Sequence, residues 1–92
     1  MIRNRVIVSG LVQGVFFRDS CRLVAEQHGV NGWVRNLPDG TVEAVFEGAP
    51  AAVAQLLRWS HHGPGSAVVE HVSRHEETPE GLTGFEVRPT PR

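Results

Sequence analysis

Apolar positions along the chain follow two different periods, and the switches between them mark out the elements. Residues 5–9, RVIVS, are rich in β-branched types and end at Gly10, which predicts a first strand. From Phe17 the spacing changes: Phe17, Cys21, Val24, Ala25 and His28 recur at three and four residues, and Gly29 supplies a stop, so a helix follows. NGWVRNL and TVEAVFE flank the turn-rich trio Pro38-Asp39-Gly40, and Val42, Ala44 and Phe46 alternate with Thr41, Glu43 and Glu47. This is the pattern of a hairpin of two strands. Pro50 suits a first helical position, Val53, Leu56, Leu57 and Ser60 line one face, and Gly63-Pro64 ends the second helix. Residues 67–76, with Val68, Val69 and Val72 among polar neighbours, give a fourth strand, and FEVR a short fifth. The order is β-α-β-β-α-β with a tail strand. That is the ferredoxin-like split pattern, an α+β sandwich with two helices packed on one face of a mainly antiparallel sheet.

Composition narrows what such a fold can serve. At 92 residues the chain makes one domain, residues 1–92, able to build a core without metal or disulfide support. Its hydrophobic content is 40%, its charged content 21% and its net charge -1, so bulk charge favours neither a nucleic-acid nor a membrane partner. No basic face or aromatic-rich run of the RNA-binding kind accompanies the fold pattern. The lone Cys21 and the short apolar run before Ser9 point to a reducing, cytoplasmic setting and a membrane-free protein; neither sets the oligomeric state, and a monomer is the expectation. The loose segments are ETPEGLTG, residues 77–84, and the tail from Pro89 to Arg92.

Any anion site must therefore be local, and GLVQGVFFR, residues 10–18, offers one. A strand that passes through a glycine-bearing loop straight into a helix leaves backbone N–H groups unpaired beside the positive end of the helix dipole. Such a nest attracts an anion. Gly14 allows close approach, and Arg18 in the first helical turn can add a planar fork of donors for two phosphoryl oxygens. An arginine near a helix start is also commonly a solvated surface residue, so the loop alone leaves both readings open. A nucleotide P-loop does not fit, because Val15 stands where its second glycine would be, and no G-x-G-x-x-G occurs. Cys21 follows Arg18 on the apolar helix face, the wrong order for a thiol phosphatase, and reads as core. Arg74-His75-Glu76 lacks the glycine of a histidine-phosphatase signature. His71 and His75 stand about 13 Å apart along a strand, too far for one ion, so no metal ligands and no cofactor are assigned.

The loop G-L-V-Q-G-V-F-F-R resembles the first signature of the acylphosphatase family. Gly32-Trp33-Val34-Arg35-Asn36, followed by Gly40, Val42 and Gly48 at the spacing of that family's second signature, is similar at each defined position. GPGSAVVEHV resembles the Gly-Pro-Pro run after the second helix, with Gly65 in place of a proline. The resemblance covers nearly the whole chain. It implies metal-independent hydrolysis of a small-molecule acyl phosphate to carboxylate and inorganic phosphate. The phosphoryl group would be held by Arg18 and the loop of Gln13, Gly14, Val15, Phe16, Phe17 and Arg18, with Asn36 orienting water. A carboxylate leaves readily, so no general acid is needed, and phosphoryl transfer calls mainly for positioning and charge stabilisation. Phe16 and Phe17 are expected as packing anchors, with a place at the border of the substrate pocket left open for one of them, and Trp33 as a half-buried strand residue. A non-catalytic ferredoxin-like module that binds or responds to an anion would share the cradle, and Asn36 alone separates it from the enzyme.

Overall fold

A computed structural model describes residues 1–92. The elements run β1 (Ile2–Leu11), α1 (Phe17–His28), β2 (Asn31–Asn36), β3 (Val42–Gly48), α2 (Pro50–Ser60), β4 (Val68–Glu77) and β5 (Phe85–Val87). They form one sheet in the order β4-β1-β3-β2-β5, antiparallel except where β2 meets β5. Both helices start where the pattern placed them. Gly29 closes α1 in the left-handed region, with its N–H donating to Glu26, and Pro50 opens α2. β1 is longer than the β-branched run alone suggested, because Arg3 and Asn4 pair across the sheet as well, while β4 has the expected length, shifted by one residue. No helix is long and apolar enough to cross a membrane.

Antiparallel register explains which side chains lie beneath the helices, since directly opposed residues share a face. Three rows cross the sheet on the helix side: Glu76, Asn4, Phe46, Gly32 and Phe85; then Arg74, Val6, Ala44, Val34 and Val87; then Val72, Val8, Val42 and Asn36. Their apolar members meet Phe17, Cys21 and Ala25 from α1 and Val53 and Leu56 from α2 in one core. Phe17 packs on Trp59 with ring centroids 5.0 Å apart, and Phe46 stacks on Phe85 at 6.1 Å. Truncating a fully buried ring such as Phe46 to alanine would cost about 3–5 kcal/mol. Of the polar members, Arg74, Glu76 and Asn36 fall at the ends of these rows, and Asn4 lies one strand in, between Glu76 and Phe46.

The opposite face departs from the simple alternation. Glu43 and Glu47 alternate with the apolar positions of β3, yet the strand is buried along its whole length. A ladder of ions covers it. Arg3 bonds Glu47 and Glu77 at 2.8 Å each, Arg5 bonds Glu77 at 3.0 Å, and Arg35 bonds Glu43 at 2.6 Å. Trp33, expected half-buried, is only 8% exposed, because the Arg35 and Arg88 guanidinium groups lie over its ring at 4.8 and 4.9 Å. The 77–84 segment is not loose. Glu47, fully buried, accepts the backbone N–H groups of Glu80, Gly81 and Leu82 at 3.0, 3.2 and 3.1 Å.

Candidate active site

The loop between β1 and α1 is shaped by its backbone before any side chain is considered. β1 bulges between Ser9 and Gly10, where a Cβ on Gly10 would come 2.2 Å from the Val68 carbonyl oxygen, so only glycine fits this exit. Gly14 then takes φ 74° and Phe16 φ 64°, while Val15 and Phe17 keep negative φ. Alternation of hand turns successive N–H groups toward one side, which is the geometry of an anion-binding nest. Phe16 is the chain's only non-glycine residue at positive φ, a conformation that costs an aromatic residue of order 1 kcal/mol.

The nest extends into the helix. No backbone N–H from residues 13–19 donates to an acceptor within the protein, and the first bond of α1 is that of Ser20 N–H to the Phe16 carbonyl at 3.1 Å. These donors share the positive end of the α1 dipole. Two side chains hold the loop in place. Gln13 donates from Nε2 to the carbonyls of Leu37 and Thr41 at 2.9 and 3.0 Å, tying the loop to the β2–β3 turn. Ser66 Oγ donates to the Val15 carbonyl at 3.1 Å, tying it to the segment after α2. Phe17 is buried beneath, against Trp59.

A cleft of about 340 Å³ opens over this loop, lined by Val12, Gly14, Phe16, Phe17, Arg18, Asp19 and Val87. Arg18 is half-buried in it and, unlike Arg3, Arg5, Arg22, Arg35 and Arg88, has no carboxylate partner. Its donors are free to meet a ligand. Of the residues singled out in the sequence, the cleft gathers Gly14, Phe16, Phe17 and Arg18. Gln13 and Val15 do not line it. The Gln13 amide is spent on the turn and the Val15 side chain is in the core, so only their main-chain N–H groups remain available.

Asn36 is not part of the cleft wall either, but it stands at the same end of the sheet. It faces the helix side opposite Val42, one residue before the Leu37 carbonyl that Gln13 grips. Its Oδ1 is buried and has no hydrogen-bond partner, an acceptor held without an acquaintance in the protein. Phe16, expected to pack inward, is 76% exposed at the lip of the cleft. Burial raises the Cys21 thiol far above its ordinary range, so Cys21 supplies no thiolate. No group of three or more His, Cys, Asp or Glu side chains is placed to hold a metal ion.

Sequence reasoning named Gln13 for its place in the loop but not as the tether to the β2–β3 turn, and it missed Ser66, Asp19 and Val87. A polar Gln13 in an otherwise apolar loop was the available signal for that tether. Val87 reaches the cleft only through the parallel pairing of β5 with β2, which no local pattern announces.

Comparison with known proteins follows the same outline. A family model described as Acylphosphatase matches residues 4–87. The chain is 64% identical over 87 residues to an acylphosphatase of Rubrobacter xylanophilus, covering 94% of this chain and 79% of that one. It is 59% identical to an acylphosphatase of Gloeobacter violaceus, over 94% and 92% of the two chains. Among solved structures, the acylphosphatase from Bacillus subtilis superposes with a TM-score of 0.92 at 34% identity, covering 96% of this chain and 99% of that one.

Proposed function

The chain belongs to the acylphosphatase family of hydrolases, and we propose that Arg18, the amides of residues 13–18 and Asn36 are the groups that carry out its reaction. The observation that carries this reading is the run of unpaired N–H groups from residue 13 to 19 beside an unpaired, half-buried arginine. A dianionic phosphoryl group satisfies both at once. The nest accepts one face of its oxygens, and the guanidinium fork spans two of them with charge-assisted bonds.

Water then attacks phosphorus in line with the acyl oxygen. The new P–O bond forms from water, the old one to the acyl group breaks, and its electron pair leaves on the carboxylate. One water proton passes to a phosphate oxygen or to solvent, so the products are a carboxylate and inorganic phosphate. The free Oδ1 of Asn36 accepts a hydrogen bond from the attacking water and fixes its direction. Because the leaving group is already a weak base, the rate depends on how firmly the nest and Arg18 hold charge on the phosphoryl oxygens. Every group named lies in one chain, so a monomer is sufficient, and a cytoplasmic site of action accords with an unbridged Cys21.

The test is phosphate release from acetyl phosphate by the purified protein. Release that saturates with substrate and is inhibited competitively by inorganic phosphate supports the reading. Binding of inorganic phosphate without any release would leave the cradle as the anion site of a non-catalytic module.

A further inference from the structure

Polar residues interrupt the helix-side face at a second place, and the phosphoryl chemistry makes no use of them. Asn4 sits in the row beneath the helices beside Phe46, only 3% exposed, and its Oδ1 has no hydrogen-bond partner. Register puts Glu76 directly opposite Asn4 and Arg74 opposite Val6, so both charges stand on the helix side of β4, an edge strand. Neither has an ion-pair partner. α2 packs over β1 and β3, and between it and β4 lies a cavity of about 340 Å³ whose walls include Ile2, Ala54 and Leu57 together with Asn4, Arg74 and Glu76. Arg3 and Glu77, also at its mouth, neutralise one another at 2.8 Å.

We propose that this cavity binds a zwitterionic α-amino acid with an aliphatic side chain. The ligand's carboxylate meets the free Arg74 guanidinium, and its ammonium donates to Glu76 and to the buried Asn4 Oδ1. Arg74 and Glu76 lie about 7 Å apart along the strand, a separation that two long side chains close when they converge on one small zwitterion. The aliphatic group takes the apolar wall of Ile2, Ala54 and Leu57. The charge pattern selects this class. A simple anion would meet Glu76 unfavourably, and a purely apolar ligand would leave the Asn4 acceptor buried and unpaired, the costliest state for such a group. The site is independent of the hydrolytic reading, since Asn4 lies about 25 Å along β1 from the phosphoryl loop.

Titration of isotopically labelled, intact protein with L-leucine, followed by NMR in saturating inorganic phosphate, tests the proposal. The expected result is saturable shifts of the Asn4 side-chain amide and of the Ala54 and Leu57 methyl groups at roughly millimolar ligand. Arg74→Gln, or leucinamide in place of leucine, should each weaken binding about 10-fold, and the two together no further, because both delete the same contact. Glu76→Gln and N-acetylleucine should behave in the same paired way. Both substitutions are at exposed positions and leave the fold intact. Absence of saturable shifts at this cavity would overturn the proposal, as would shifts confined to residues 14–18. Leucinamide or isovalerate binding as tightly as leucine would also overturn it, because the zwitterion would then not be recognised.

Discussion

Replacing Asn36 by alanine should separate turnover from both folding and phosphate affinity. The structure sets the sign of each effect. Asn36 makes no hydrogen bond that holds the protein together, and its buried Oδ1 carries an unsatisfied-acceptor penalty of about 1–3 kcal/mol. Truncation removes that penalty and forfeits the packing of a short, half-buried side chain, worth about 1 kcal/mol. The net change in stability is therefore near zero or slightly favourable, which in a domain of this size moves Tm by no more than about 8 °C. Phosphate contacts belong to Arg18 and the loop amides, so the inhibition constant for inorganic phosphate should stay within about 2-fold. Turnover should fall about 100- to 1,000-fold, or roughly 3–4 kcal/mol of barrier, as for other preorganised polar groups aimed at the reacting atoms. Asn36→Asp should do no better, since a carboxylate can accept from water but repels the phosphoryl oxygens. The assay is kcat, the phosphate inhibition constant and Tm measured on the same preparation of each variant. Near-parental kcat in Asn36→Ala would refute the role given to this residue. A loss of kcat matched by equal losses in phosphate affinity and Tm would show that Asn36 serves structure instead.

Arg18→Ala should weaken phosphate inhibition and turnover together, by about 10- to 150-fold for a lost charge-assisted contact, and Arg18→Lys should recover little because the planar fork is gone; unchanged phosphate inhibition in folded Arg18→Ala would remove arginine from the site. Turnover should be flat between about pH 6 and 8 and indifferent to chelators, since arginine, asparagine and backbone amides do not titrate there; a histidine-like titration, or a rate restored only by added divalent metal, would contradict the mechanism. Glu47→Gln should cost about 2–3 kcal/mol, below the usual loss for a broken buried pair because Arg3 keeps Glu77 and Glu80 as partners, and thermal denaturation should show a fall of about 10–20 °C with catalysis per folded molecule unchanged. Burial raises the Glu47 carboxyl, but the Arg3 bond and the Glu80 and Leu82 amides outweigh it and leave it depressed, while bonds from Arg3 and Arg5 overcome burial to depress Glu77. Depressed carboxyls stabilise the fold above their unfolded value of about 4.3 and lose that contribution as pH falls through the folded value, so parent stability should decline below about pH 4, and less steeply in Glu47→Gln.

The elements were legible because their signals are local. The three-and-four spacing from Phe17 to His28, the Pro38-Asp39-Gly40 turn and Pro50 each act within a few residues, and each element lies where these signals put it. The run of unpaired donors at residues 13–19 was legible for the same reason, since a nest is built from consecutive residues. What escaped depends on pairing between distant strands. The role of Glu47 could not be read locally, because alternation along β3 says nothing of what covers the outer face. Only the sheet order, with β1 and β2 flanking β3, brings Arg3 to it and draws residues 80–82 across it. Phe16 was assigned to packing because aromatics usually pack, whereas the positive φ needed to turn the loop throws its ring outward.

The fold contains two concave arrays of backbone donors, and comparing them explains why one bears chemistry. At residues 80–82 three N–H groups converge on an oxyanion that the chain itself supplies, the Glu47 carboxylate, further neutralised by Arg3. That array is closed. Its donors, acceptor and countercharge are matched within the protein, and its effect is to fasten a segment and stabilise a face. At residues 13–19 the same kind of array, with an arginine of its own, has no internal carboxylate brought to it. The difference lies in the sheet: the C-terminal end of β3 carries Glu47 toward the first array, whereas its N-terminal end, next to the second, carries Val42, and the neighbouring β2 position carries a neutral amide, Asn36. Neutral residues there bring no internal carboxylate to that end of the sheet, and the Asn36 amide keeps an unpaired Oδ1 to which a nucleophilic water can donate. On the proposed reading the loop and Arg18 bind and Asn36 directs attack, while the same register makes the other face a structural lock.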